Sequence, residues 1–66
     1  MKLGKLKGKI REKNKTYQNC AEAIGKTVAT FNLKINGARK FYIEELETLG
    51  NFLEMTSEEK MDIFLD

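Results

Sequence analysis

Two threonines set around a glycine, Thr16 and Thr27 with Gly25 between them, constrain the fold of this 66-residue chain more than any other feature. A threonine hydroxyl accepts a hydrogen bond from an orphan amide in the first turn of a helix, so each threonine marks a helix start. Behind Thr16, Tyr17, Cys20, Ala21 and Ile24 recur at the spacing that places side chains on one helical face, which predicts a helix over 17–24. Gly25 follows at the position where positive φ is easiest to adopt. Thr27 repeats the cap two residues later, Val28, Phe31 and Ile35 form the inward stripe of the next helix, and Asn36-Gly37 closes it.

A helix that ends and another that begins within a few residues is a helix-turn-helix, here expected over residues 16–37. The flanking segments extend the helical reading. Leu3, Leu6 and Ile10 share a face, predicting a first helix over 3–13 whose first turn is weakened by Gly4 and Gly8 at about 1 kcal/mol each, with Asn14 able to end it in a left-handed conformation. Ile43, Leu46, Leu49, Gly50 and Leu53 predict a fourth helix over 42–54, with Glu44, Glu45 and Glu47 opposing the positive end of its dipole. Thr56 with Glu59 is a capping box, and Met61, Phe64 and Leu65 are expected to supply the inward face of a short fifth helix. The expected fold is all-α, five short helices around one core, with residues 1–66 a single domain because so short a chain has apolar material for only one core.

The same residues exclude most chemistries. The chain has no His, the commonest general base and zinc ligand, and one Cys with no imidazole to activate it. No enzyme activity, metal site or cofactor is expected, and Cys20 reads as a small core residue. No uncharged apolar run approaches the length of a membrane span, the Lys-rich start lacks the apolar stretch of a secretory signal, and a lone thiol suits a reducing compartment, so the expected location is the cytoplasm. A basic first helix lying on an anionic membrane is disfavoured, since its apolar face is only three residues wide.

Charge is distributed unevenly along the chain. Residues 1–40 carry eleven Lys and Arg against two Glu, and residues 41–66 carry one Lys against eight Asp and Glu. Clustered cations gain by releasing the counterions of a polyanion, which favours a nucleic-acid partner; a solvated Lys-rich helix face with no partner is the alternative.

The run from Thr16 to Gly37 resembles the helix-turn-helix of the lambda-repressor-like family, the class of phage Cro and repressor proteins, with Ala21, Gly25, Phe31 and Asn36-Gly37 at the family's spacings. Ile35-Asn36-Gly37 followed by Phe41 and a Glu-rich helix is similar to short Cro-type regulators of temperate phages from Gram-positive bacteria. The resemblance implies that the third helix enters the major groove of operator DNA, with Val28, Ala29, Asn32 and Leu33 facing bases. It further implies that Tyr17, Gln18, Asn36, Arg39 and Lys40 hold or approach the backbone, that Lys34 adds a phosphate contact, and that Thr27 belongs to the same DNA-binding set. Such a protein acts by occlusion, as a transcription regulator of the lysogenic/lytic switch in the bacterial cytoplasm.

Three departures from the pattern matter. Tyr17 stands where the family usually has Gln, Lys26 where an apolar residue is common, and Ala29 and Leu33 replace polar residues at base-facing positions. Apolar side chains meet thymine methyl groups but cannot form the bidentate pairs that discriminate bases, so modest sequence selectivity is expected. As the alternative, an outward Val28, Ala29 and Leu33 patch is also what the surface of an antirepressor would look like, a protein that binds a partner repressor and alters its hold on DNA. A weak homodimer, if formed, is expected to use Phe64 and Leu65.

Overall fold

In the computed structural model, which describes residues 1–65, five helices follow one another: α1 (Leu3–Glu12), α2 (Tyr17–Ala23), α3 (Val28–Ile35), α4 (Ile43–Phe52) and α5 (Ser57–Phe64). No strand occurs among the described residues. Asp66, counted above among the acids, lies outside the described residues.

The cap residues do what their chemistry predicts. Thr16 Oγ1 accepts from the Asn19 amide at 3.0 Å, Thr27 Oγ1 from Thr30 at 3.2 Å and Thr56 Oγ1 from Glu59 at 3.1 Å. Glu59 returns the bond, accepting from the Thr56 amide at 2.8 Å. Asn19 plays the same reciprocal part for Thr16 at 3.0 Å.

The first four helices all end alike. In α2 the Lys26 amide donates to the Ala21 carbonyl and the Gly25 amide to Glu22, at 2.9 and 3.1 Å, the paired bonds of a Schellman motif. Asn14, Gly37 and Glu54 occupy the position equivalent to Gly25 in α1, α3 and α4, and all four have positive φ, between 55° and 84°. Each of these helices is therefore stopped by a left-handed residue whose amide, with that of the next residue, satisfies two orphan carbonyls. Because the cap residues Lys13 and Ile24 fall outside the helices, α1 and α2 are each one residue shorter than their sequence periodicity suggests, and α4 is three shorter, with Tyr42 and Leu53 as its caps and Glu54 beyond.

The core draws Leu6 and Ile10 from α1, Cys20 and Ala21 from α2, Phe31 and Ile35 from α3, and Leu49 from α4; Leu53, Met55 and Ile63 complete it. Phe31 is central: its ring lies 5.4 Å from Tyr17 and 5.8 Å from Phe41 between ring centroids. α2 packs on α3 and α4, while α1 packs on α3 and α5. The Lys2 amide donates to the Ile63 carbonyl at 2.8 Å, tying the two ends of the described chain together.

Four apolar positions differ from the sequence expectation. Ile43, Met61 and Leu65 are 77, 62 and 78 % exposed, and Val28 is 36 % exposed. Ile43 and Val28 are the first residues of their helices, where the side chain lies beyond the packed turns. In α5 the buried residue is Ile63, which places Met61 and Leu65 on the opposite side.

Candidate functional site

The face that α3 leaves uncovered follows from how its core residues are used. Phe31, Lys34 and Ile35 point inward and are buried, so Val28, Ala29, Asn32 and Leu33 are turned to solvent. Leu33 is 43 % exposed. The α3 sequence contains no acid, and its N-terminus is opened by the exposed Thr27 cap. Four of the expected base-facing residues thus occupy the solvent side of one helix.

The expected backbone-holding residues divide. Gln18 is exposed and donates to Glu22 Oε2 at 3.2 Å. Tyr17 is half-buried, with its ring committed to Phe31. Asn36 donates through Nδ2 to the Asn32 carbonyl at 2.9 Å and accepts from Lys7 Nζ at 3.0 Å, so its amide is already occupied at both ends. Arg39 and Lys40, in the loop between α3 and α4, are exposed and form no ion pair among the described residues.

Lys34 is the correction. It was expected beside Arg39 and Lys40 as a phosphate contact, yet it is 3 % exposed. Its Nζ lies 2.6 and 2.7 Å from the two oxygens of Glu45 and 4.4 Å from the centre of the Tyr42 ring. Glu45 also accepts from the Tyr42 amide at 2.8 Å, and Lys26 Nζ is 4.0 Å away. Burial pushes the Glu45 carboxyl pKa up, but the Lys34 and Tyr42 hydrogen bonds and the charges of Lys34 and Lys26 outweigh it, leaving the pKa below its ordinary value. A cation enclosed by a carboxylate and an aromatic face is not offered to DNA.

The charge asymmetry of the sequence is also resolved largely inside the protein. Asp62 of α5 receives Lys2 at 2.6 Å and Lys5 at 2.8 Å, which hold its pKa down at about 2. Lys9 pairs with Glu59 of α5 and with Glu12 at 3.2 Å, raising its own pKa and lowering that of Glu59. Lys13 lies 3.8 Å from Glu54. Lys2, Lys5, Lys9 and Lys13 therefore face acids of the second half of the chain, while Lys7 reaches Asn36. Beside α3, Arg39 and Lys40 are exposed with no ion pair among the described residues, and exposed Lys26 has only the 4.0 Å approach to Glu45.

Arg39 and Lys40 also border a cavity of about 320 Å³ whose other walls are Met1, Leu3, Lys34, Gly37 and Phe41. Gly37, with φ of +84°, belongs here for steric as well as conformational reasons: a Cβ would stand 3.3 Å from Leu3 Cδ1. Glu45 and Tyr42 shape this side of the protein, and the sequence reading did not single them out as a pair. The available signal was a Glu three residues after position 42, the reciprocal half of a capping box.

Cys20 is fully buried, and burial raises its thiol pKa to about 11 against the opposing pull of Lys15. A protonated, enclosed thiol is a packing residue and not a nucleophile. Among the described residues no group of three or more His, Cys, Asp or Glu is placed to hold a metal ion, and no helix is long and apolar enough to cross a membrane. Comparison of the chain with protein-family models, with curated proteins and with solved structures finds no match.

Proposed function

We propose that this protein is a helix-turn-helix DNA-binding regulator of lambda-repressor-like architecture, in which α2 and α3 form the motif and α3 is the element presented to the major groove. The observation that carries the reading is the pairing of an uncommitted α3 face with unpaired cations beside it. Val28, Ala29, Asn32 and Leu33 are exposed, while Arg39 and Lys40 lie in the next loop with no acid bound to them among the described residues. In this arrangement α3 meets base edges, and Arg39, Lys40 and Lys26 neutralise phosphates.

The polar reach of the base-facing set is small. Asn32 alone can form a bidentate pair with a base, and Val28, Ala29 and Leu33 offer only apolar contact to thymine methyl groups. Backbone charge then supplies most of the affinity, and selectivity is modest. Regulation proceeds by occlusion of polymerase or of a competing repressor, in the cytoplasm of a bacterium carrying a temperate phage. A dimer on two half-sites would use the exposed Met61 of α5 and Leu65 just beyond it, because Phe64 is packed against the core.

A second reading is favoured by the exposed apolar residues themselves. Val28, Ala29 and Leu33 suit the contact surface of an antirepressor that holds a partner repressor through α3. A gel shift with the DNA flanking its own gene separates the two. DNA binding by the purified protein, weakened at least tenfold in R39A/K40A, supports the regulator. No shift alone, together with a changed shift of the neighbouring repressor that L33D abolishes, supports the antirepressor.

A further inference from the structure

The Lys34–Glu45 pair spans the loop that carries Arg39 and Lys40. Lys34 is in the last turn of α3 and Glu45 in the first turn of α4, and one carboxylate binds the Lys34 ammonium through both oxygens while accepting from the Tyr42 amide at 2.8 Å. Both side chains are buried, at 3 and 6 % exposure, whereas among the described residues every other ion pair includes at least one more open partner. The loop between them has one further anchor on the α3 side, where the Ala38 and Arg39 amides both donate to the Leu33 carbonyl at 2.9 and 3.2 Å. On the α4 side Phe41 is held by its ring against Phe31, and the Tyr42 amide is held by Glu45.

We infer that Glu45 is a positioning residue for the candidate DNA-contacting surface: by gripping Lys34 and the Tyr42 amide together, it fixes the 38–42 loop so that Arg39 and Lys40 project beside the outer face of α3. The inference rests on the DNA-binding reading for its consequence and on the geometry of this loop for its cause. A buried ion pair is often neutral or unfavourable for stability when compared with apolar residues of similar volume, so stability alone is a poor reason for its presence. Placement of two cations is a better one, because electrostatic contacts to a duplex depend on register.

The decisive variant is K34M/E45M, which replaces both charges by side chains of comparable length and leaves no buried charge unpaired. Thermal unfolding, backbone amide exchange at residues 38–42, and affinity for duplex DNA are measured together. The expected result is a melting temperature near that of the wild type, amide exchange at Tyr42 at least tenfold faster, and DNA affinity at least tenfold weaker. Unchanged exchange in a folded variant overturns the inference, whatever DNA does. Should K34M/E45M fail to fold, the wild type alone decides: a protected Tyr42 amide is required, and exchange at the rate of an open amide overturns the latch. Failure of the wild type to bind DNA defeats the functional reading, and the exchange arm still tests the loop.

Discussion

Lys34 and Glu45 meet inside the protein, ammonium to carboxylate at 2.6 and 2.7 Å, at a point where the sequence alone suggests a surface cation and a helix-dipole acid. Removing one member strands the other in a buried position. Lys34→Ala should therefore cost about 3 kcal/mol, the scale for breaking a buried ion pair. Lys40→Ala, at an exposed position, should stay within about 0.5 kcal/mol of the wild type. Urea unfolding of the two variants side by side checks the contrast, and equal effects would show that Lys34 is a surface residue after all.

That pair also marks where sequence reasoning stops. The caps Thr16, Thr27 and Thr56 and the left-handed stops at Asn14, Gly25 and Gly37 were legible because they act within a few residues of themselves. Phe31 and Ile35 fix which way α3 is turned, so Ala29, Asn32 and Leu33 were legible as outward for the same reason, whereas Val28, grouped with the inward stripe, was not. Lys34 was not, because its partner is eleven residues away and nothing local distinguishes it from Arg39 or Lys40. The neutralisation of α1 by α5 was hidden in the same way: Lys2, Lys5 and Lys9 meet Asp62 and Glu59 only once the ends of the chain are brought together. In α5, Ile63 and Met61 are both apolar within a helix of eight residues, too short for periodicity alone to say which faces the core.

Phe31 is fully buried between the rings of Tyr17 and Phe41. Truncation to Ala should cost about 3–5 kcal/mol, comparable to the whole net stability of a domain this small. Circular dichroism should show Phe31→Ala largely unfolded at room temperature. A cooperative transition close to that of the wild type would mean that this ring is not the keystone of the core.

Backbone strain provides a graded test. Gly25 has φ of +70° with nothing near its missing Cβ, so Gly25→Ala should cost about 1 kcal/mol from conformation alone. Gly37→Ala adds the approach to Leu3 and should cost more, about 2 kcal/mol. Glu54 has φ of +55° without being glycine, and Glu54→Gly should stabilise by about 0.5–1 kcal/mol. Chemical denaturation of the three variants should give this order, and a stabilising Gly37→Ala would contradict the assigned geometry.

Acid should weaken the α1–α5 contact only at low pH, because the carboxylates that make it hold their charge below the ordinary range. Asp62 has its pKa depressed to about 2 from an ordinary 3.8, and Glu59 and Glu45 are lowered as well. A depressed carboxyl pKa means stability that is fully present above the unfolded value and lost as pH falls through the folded one. The melting temperature should thus be insensitive to these groups above about pH 5 and decline from about pH 4 toward 2. Asp62→Asn should flatten the lower part of that decline, and salt should reduce it because the Lys2 and Lys5 pairs are solvent-exposed. A decline of the same shape in Asp62→Asn would show that the lysines do not hold this carboxylate.

The central claim, that α3 with Arg39 and Lys40 docks on duplex DNA, is tested most directly by the salt dependence of binding to the DNA flanking its gene. Each phosphate neutralised contributes roughly −0.9 to the slope of log Kobs against log salt. Fluorescence anisotropy between 50 and 200 mM salt should give a steep negative slope for the wild type, and one shallower by about two for R39A/K40A. A slope that is the same in both proteins, or the absence of DNA binding even at low salt, would contradict the account.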